Sequence, residues 1–182
     1  MGKALFRYPI SAVAIDERNE SAGRPLARCV DTAQLVAAHI SPVTGLATDY
    51  LNHFNEAIML LEMAGDCPDC RHDLRAWQPL TYRDHFRHSR LACRDLAIAA
   101  YDAADPVTRD TLEALAGTMT ALIEHSRAAL IAAPNERAQA AAAERAAVWL
   151  KLLVAQAGAV INGQRVTGAD GTPQSTVDLM IA

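Results

Sequence analysis

Between Asp105 and Gly163 the chain carries two long stretches in which apolar residues recur at helical spacing, parted only by Pro134-Asn135. In the first, Leu112, Leu115, Met119, Leu122, Ile123, Ser126 and Leu130 fall on one face at 3.6 residues per turn. In the second, Val148, Trp149, Leu150, Leu152, Leu153, Val154, Val160 and Ile161 leave little of the circumference polar. A sheet cannot accommodate such a period, so helices of this length must bury their stripes against other helices. Composition agrees: 51% of residues are hydrophobic but only 5% aromatic, and much of the rest is alanine, the best helix former.

Punctuation sets the other elements. A helix is expected from Leu26 to His39, and another from Val43 to Ala64, opened by Ser41-Pro42 and closed by Gly65. A short segment, Asp66 to Trp77, has Asp66 as its cap and Pro68 in its first turn. Thr81 to Asp84 reads as a capping box for a helix from Tyr82 to Ala103, with Tyr82, Phe86, Ser89, Cys93, Leu96 and Ala100 on its stripe. Asp105-Pro106 opens the next helix, to about Ala132, and Asn135 caps the last, which ends at Asn162-Gly163. The expectation is an all-α, up-down bundle of about five to six helices in a single domain. It places a flexible arm at 1–25, the bundle at 26–163 and a tail at 164–182, docked on the bundle or on a partner subunit.

Several function classes fall away. The net charge of −4 and the absence of a basic stripe argue against nucleic acid. Arg83, Arg87, Arg90 and Arg94 alternate with Asp84 and Asp95, as on a solvated helix face. No apolar run reaches bilayer length, no secretory signal opens the chain, and four cysteines are too few for a disulfide scaffold. The expected setting is cytoplasmic, with reduced thiols. The apolar final helix predicts a homodimer.

Three groups of residues could carry chemistry. His53 falls near the centre of an apolar arc, with Asp49 one turn before it and Glu56 almost one turn after. A carboxylate beside a buried imidazole would fix its tautomer and raise its pKa. With His85 and His88 these residues could form a nitrogen/oxygen site for a divalent transition metal between two helices. A di-iron bundle would need two Glu-x-x-His motifs, and Glu56 is followed at that spacing by Met59. Tyr50, Phe54, Tyr82 and Phe86, together with Trp77, could line an apolar pocket with His53 at its base.

Cys67 and Cys70 form a Cys-x-x-Cys at the start of a short helix, where the first thiol's pKa can be depressed. Alkylhydroperoxidase-like members of the carboxymuconolactone decarboxylase group carry their redox pair on a helix as Cys-x-x-Cys-x-x-x-His. Here Leu74 stands where that histidine would be, and the chain is not read as a member. No complete catalytic constellation is present. The leading expectation is therefore a non-catalytic module that binds a protein partner or a small apolar ligand, ahead of the metal site and the thiol pair.

Overall fold

A computed structural model describes residues 31–65 and 67–164. The expected arm (1–25), most of the tail and the proposed cap Asp66 lie outside the described residues. The described residues form seven α-helices: α1 (Thr32–Ala37), α2 (Asn52–Met63), α3 (Pro68–Ala76), α4 (Tyr82–His88), α5 (Arg94–Ala103), α6 (Pro106–Ala132) and α7 (Glu136–Ile161). A 3-10 turn, Thr48–Leu51, leads into α2. Among the described residues extended pairing is limited to one isolated bridge, Ile40 with Ala47, so the described fold is all-α.

The long helices form where their caps predict. Asp105 accepts from the Thr108 N–H at 2.9 Å with Pro106 behind it, and Asn135 accepts from the Ala138 N–H at 2.9 Å. The short link between α6 and α7 forces them antiparallel, and Leu122, Ser126 and Ala129 line one small cavity between them together with Ala142, Ala146 and Trp149. The other side of α7 packs on α2, also antiparallel: Leu51 meets Gly158, and Gly65 meets Ala140. A Cβ at Gly65 would stand 3.2 Å from the Ala140 Cβ, so glycine there permits the approach. The buried face of α7 includes Ala143, Ala146, Ala147 and Ala157 beside Leu150, Leu153 and Ile161.

One expected helix is shortened and another is split in two, and the split raises the count from six to seven among the described residues. The helix expected from Val43 begins only at Asn52, because residues 41–47 are tied into a loop. Ser41 N–H donates to Leu46 O at 2.8 Å, and Gly45 takes a φ of 73°. The Thr44 hydroxyl donates to the carbonyl of Ile161, capping the end of α7. The helix expected from Tyr82 to Ala103 stops at His88. Ser89 turns extended (ψ 154°) and its Oγ donates to Phe86 O at 2.8 Å, a local bond that competes with the helix ladder. Ser89 and Cys93 therefore do not continue the Tyr82–Phe86 stripe. The first helix is also shorter than expected: Asp31 caps it, and His39, at φ 56°, lies beyond its end. Cys67, not Asp66, is the N-cap of α3.

Gly163 closes α7 at φ 74°, and a Cβ there would lie 2.9 Å from Val43 Cγ1. Gly163→Ala is expected to cost about 1–2 kcal/mol through left-handed strain and crowding of the 41–47 loop. Urea unfolding checks this. A variant as stable as the parent would mean that the loop does not constrain the end of α7.

Candidate functional site

His53, on α2, is 7% exposed, and its ring stacks on that of Trp77 at 4.5 Å and 20°. Trp77 follows α3, and its Nε1 donates to the His53 carbonyl at 3.3 Å. Buried Nε2 of His53 has no hydrogen-bond partner, a costly arrangement that native proteins seldom keep. The His85 ring, on α4, stands 6.2 Å away. Burial, with the added repulsion of a charged His85, pushes the His53 pKa down to about 4, against a hydrogen bond from the ring to the Gln78 backbone that favours the charged form. Burial also lowers the pKa of His85, although Asp49 opposes it.

This corrects the expectation of a carboxylate-assisted imidazole. Asp49 belongs to the 3-10 turn, accepts from Asn52 Nδ2 at 3.5 Å and acts on His85. Glu56 is exposed, at the edge of the cavities that His53 lines. The pKa of His53 falls instead of rising, because desolvation dominates and His85 adds to it, while neither carboxylate acts on the ring.

The five residues proposed for a metal site are brought together only in part. His53, Glu56, His85 and His88 line one cavity of about 300 Å³ with Asn52, Leu80 and Ser89; Asp49 does not. His88 is exposed, with Nδ1 2.8 Å from Asp84 O. Among the described residues, no three His, Cys, Asp or Glu side chains are grouped so as to hold a metal ion. On the other side of His53 a second cavity, about 460 Å³, is walled by Trp77, Gln78, Met59 and Asp73. The sulfurs of Cys67 and Cys70 do come together, 2.7 Å apart at the start of α3.

A further cleft, larger than either of these, lies beyond Leu80, between the 79–83 segment and α6, and measures about 550 Å³. Tyr50, Tyr82 and Tyr101 give it an aromatic wall: Tyr82 stacks on Tyr101 at 4.3 Å and lies 5.2 Å from Tyr50. Leu80, Leu112 and Ala116 supply aliphatic surface. The tyrosines are fixed by their hydroxyls. Tyr50 donates to Leu80 O at 3.1 Å, Tyr82 accepts from the Ala47 N–H at 2.8 Å, and Tyr101 donates to the Glu113 carboxylate. Burial, then Glu113, pushes the Tyr101 pKa up, so the phenol keeps its proton. Arg83 sits 5.0 Å over the Tyr101 ring and is paired with Asp102. Gly117 completes the α6 wall, and a Cβ placed there would meet nothing within 4 Å.

The apolar pocket expected from the sequence is thus divided. Tyr50 and Tyr82 line the large cleft, and His53 lines the two smaller cavities. Phe54 and Phe86, fully buried, belong to the core rather than to a pocket wall. Sequence reasoning missed Tyr101, Glu113 and Gly117. Gly117 alone gave a signal, as a glycine inside a strongly periodic helix. No protein-family model matches this chain, and neither does any curated protein or solved structure.

The depressed pKa of His53 makes stability pH-dependent. Below the unfolded value of 6.5 the unfolded chain takes a proton that the buried ring refuses until about pH 4. The contribution is therefore intact above 6.5 and is lost as pH falls between those values. Full loss corresponds to about 3 kcal/mol. His53→Phe keeps the aromatic stack and removes the unpartnered nitrogen, so at pH 7 it should be within about 1 kcal/mol of the parent, or above it. It should also lose much of the decline between pH 6.5 and 4. Urea unfolding at pH 7, 5.5 and 4 checks both, and an unchanged acid slope would contradict the burial of His53.

Proposed function

We propose that the protein is a small-ligand-binding helical module, with the ligand held in the 550 Å³ cleft between the 79–83 segment and α6. The observation that carries this reading is Gly117. A glycine inside a long helix lowers stability relative to any ordinary helix former, and here no neighbour needs the space it leaves. What the missing side chain provides is room in the cleft. The cleft has the usual size of a ligand site and the usual lining, aromatic and aliphatic with a few fixed polar groups. Glu113 accepts from Tyr101 and has lone pairs to spare, while the charge of Arg83 is met by Asp102. The ligand suited to it has a compact apolar or aromatic body and one hydrogen-bond-donating or cationic group.

Saturation-transfer NMR with tyramine, benzylamine and benzoate tests this. The amines should bind and benzoate should not. Glu113→Gln should weaken amine binding about tenfold by removing a charge-assisted bond. Gly117→Leu should abolish binding while raising stability by about 0.5–1 kcal/mol through helix propensity. Amine binding that survives Gly117→Leu would place the ligand elsewhere, and absence of binding by all three probes would count against the reading.

The homodimer and the cytoplasmic setting belong to the same proposal. Val148 and Leu152 lie one turn apart and exposed on α7, available to a second copy of the chain. Among the described residues no helix is long and apolar enough to cross a membrane. Sedimentation should give twice the 19.6 kDa chain mass, reduced to the monomer by Leu152→Glu. A monomeric parent protein would remove the association from the proposal.

A further inference from the structure

A second chemistry sits at the opposite end of α3 from Trp77. Cys67 is the N-cap of α3, extended at φ −121° and ψ 103°, with Pro68 in the first turn. Its Sγ accepts from the Cys70 N–H at 3.2 Å and from the Cys70 thiol at 2.7 Å. The two sulfurs are unequal in access: Cys67 is half-buried, whereas Cys70 is 8% exposed. The preceding chain is held in place by Arg71, whose Nη1 donates to Ala64 O at 2.6 Å.

We propose that Cys67 and Cys70 are a redox-active dithiol that exchanges with disulfides, Cys67 attacking first and Cys70 resolving. The proposal is independent of the ligand reading and uses none of its residues. Hydrogen bonds from the Cys70 thiol and from backbone N–H groups lower the pKa of Cys67, while the same pairing and burial push Cys70 up to about 11. The accessible sulfur is therefore the better nucleophile near neutral pH, and the sheltered one keeps its proton until needed.

The exchange balances with an external disulfide as oxidant. The Cys67 thiolate attacks one sulfur of R–S–S–R, the S–S bond breaks, and one R–S⁻ leaves as the mixed disulfide forms. Cys70 then loses its proton to solvent or to the departing thiolate and attacks Cys67 Sγ, releasing the second R–S⁻. The two cysteines give up two electrons and two protons, and the substrate disulfide becomes two thiols. Run in reverse, the oxidised chain would oxidise a partner dithiol. Leu74 is buried on α3 one turn beyond Cys70, so the pair has no histidine at that position to assist a peroxide.

The test uses the full chain with Cys29→Ser and Cys93→Ser, so that only the pair reports. The protein is equilibrated in graded mixtures of reduced and oxidised glutathione, quenched with an alkylating agent and weighed by mass spectrometry. The expected result is an intramolecular disulfide that forms and reverses within the glutathione range. Adding Cys70→Ser should trap glutathione on Cys67, and Cys67→Ser should trap little on Cys70. Separately, Cys67 should alkylate about tenfold faster at pH 7 than an unstructured cysteine peptide, an advantage reduced in Cys70→Ala, which removes the side-chain donor. Circular dichroism confirms that the variants fold. No intramolecular disulfide at any glutathione ratio, or equal alkylation of Cys67 and the peptide, overturns the proposal.

Discussion

The close approach of α7 to both α2 and α6 is the contact on which the rest of the structure is built. It depends on small side chains: Ala143, Ala146, Ala147 and Ala157 on α7, and the missing Cβ of Gly65 against Ala140. Alanine buries little area by itself, so the interface gains its strength from density, through many dispersion contacts at short range. With α7 fixed, the Thr44 hydroxyl on the Ile161 carbonyl ties the 41–47 loop to its end, and that loop in turn presents the Ala47 N–H to Tyr82. The aromatic wall of the cleft is thus referenced, bond by bond, to the helix that forms the opposite side of the core.

Against this well-packed frame, two local choices reduce stability without a packing return. One is the buried, unpartnered Nε2 of His53; the other is Gly117 within α6. They lie on cavities separated by Leu80, which lines all three. Local choices that contradict stability tend to concentrate where a chain does something other than fold. The two differ in what they offer. The His53 nitrogen is shut away from solvent behind its stack on Trp77, whereas Gly117 opens onto a cleft of ligand size. That difference is why the cleft, and not the histidine pair, carries the functional reading.

The parts of the fold legible in the sequence are those decided within a few residues. Asp105, Asn135 and Thr81 cap the helices they were expected to cap, because capping needs only a side-chain oxygen and nearby N–H groups. The breaks at Ser89 and before Asn52 escaped. The 41–47 loop is fixed by Ile161, far away in sequence, and Ser89 could have continued a helix on its periodicity alone. At the site, the burial of His53 and Tyr82 followed from helical spacing, whereas Tyr50, also buried, sits on a 3-10 turn in place of the expected helix. The partners did not follow from spacing: Tyr101 and Glu113 come from different helices, and only their packing joins a phenol to a carboxylate. The same holds for Asp49, which spacing placed beside His53 and the 3-10 turn carries to His85.

The most direct measurement is of intermolecular nuclear Overhauser effects between bound tyramine and the isotope-labelled protein. The account predicts contacts from the amine's ring to the Gly117 Hα and to the rings of Tyr82 and Tyr101, with its aminomethylene protons near Glu113. Contacts confined to Trp77 and His53, or scattered over the exposed face of α7, would contradict the claim that the cleft beside α6 is the binding site.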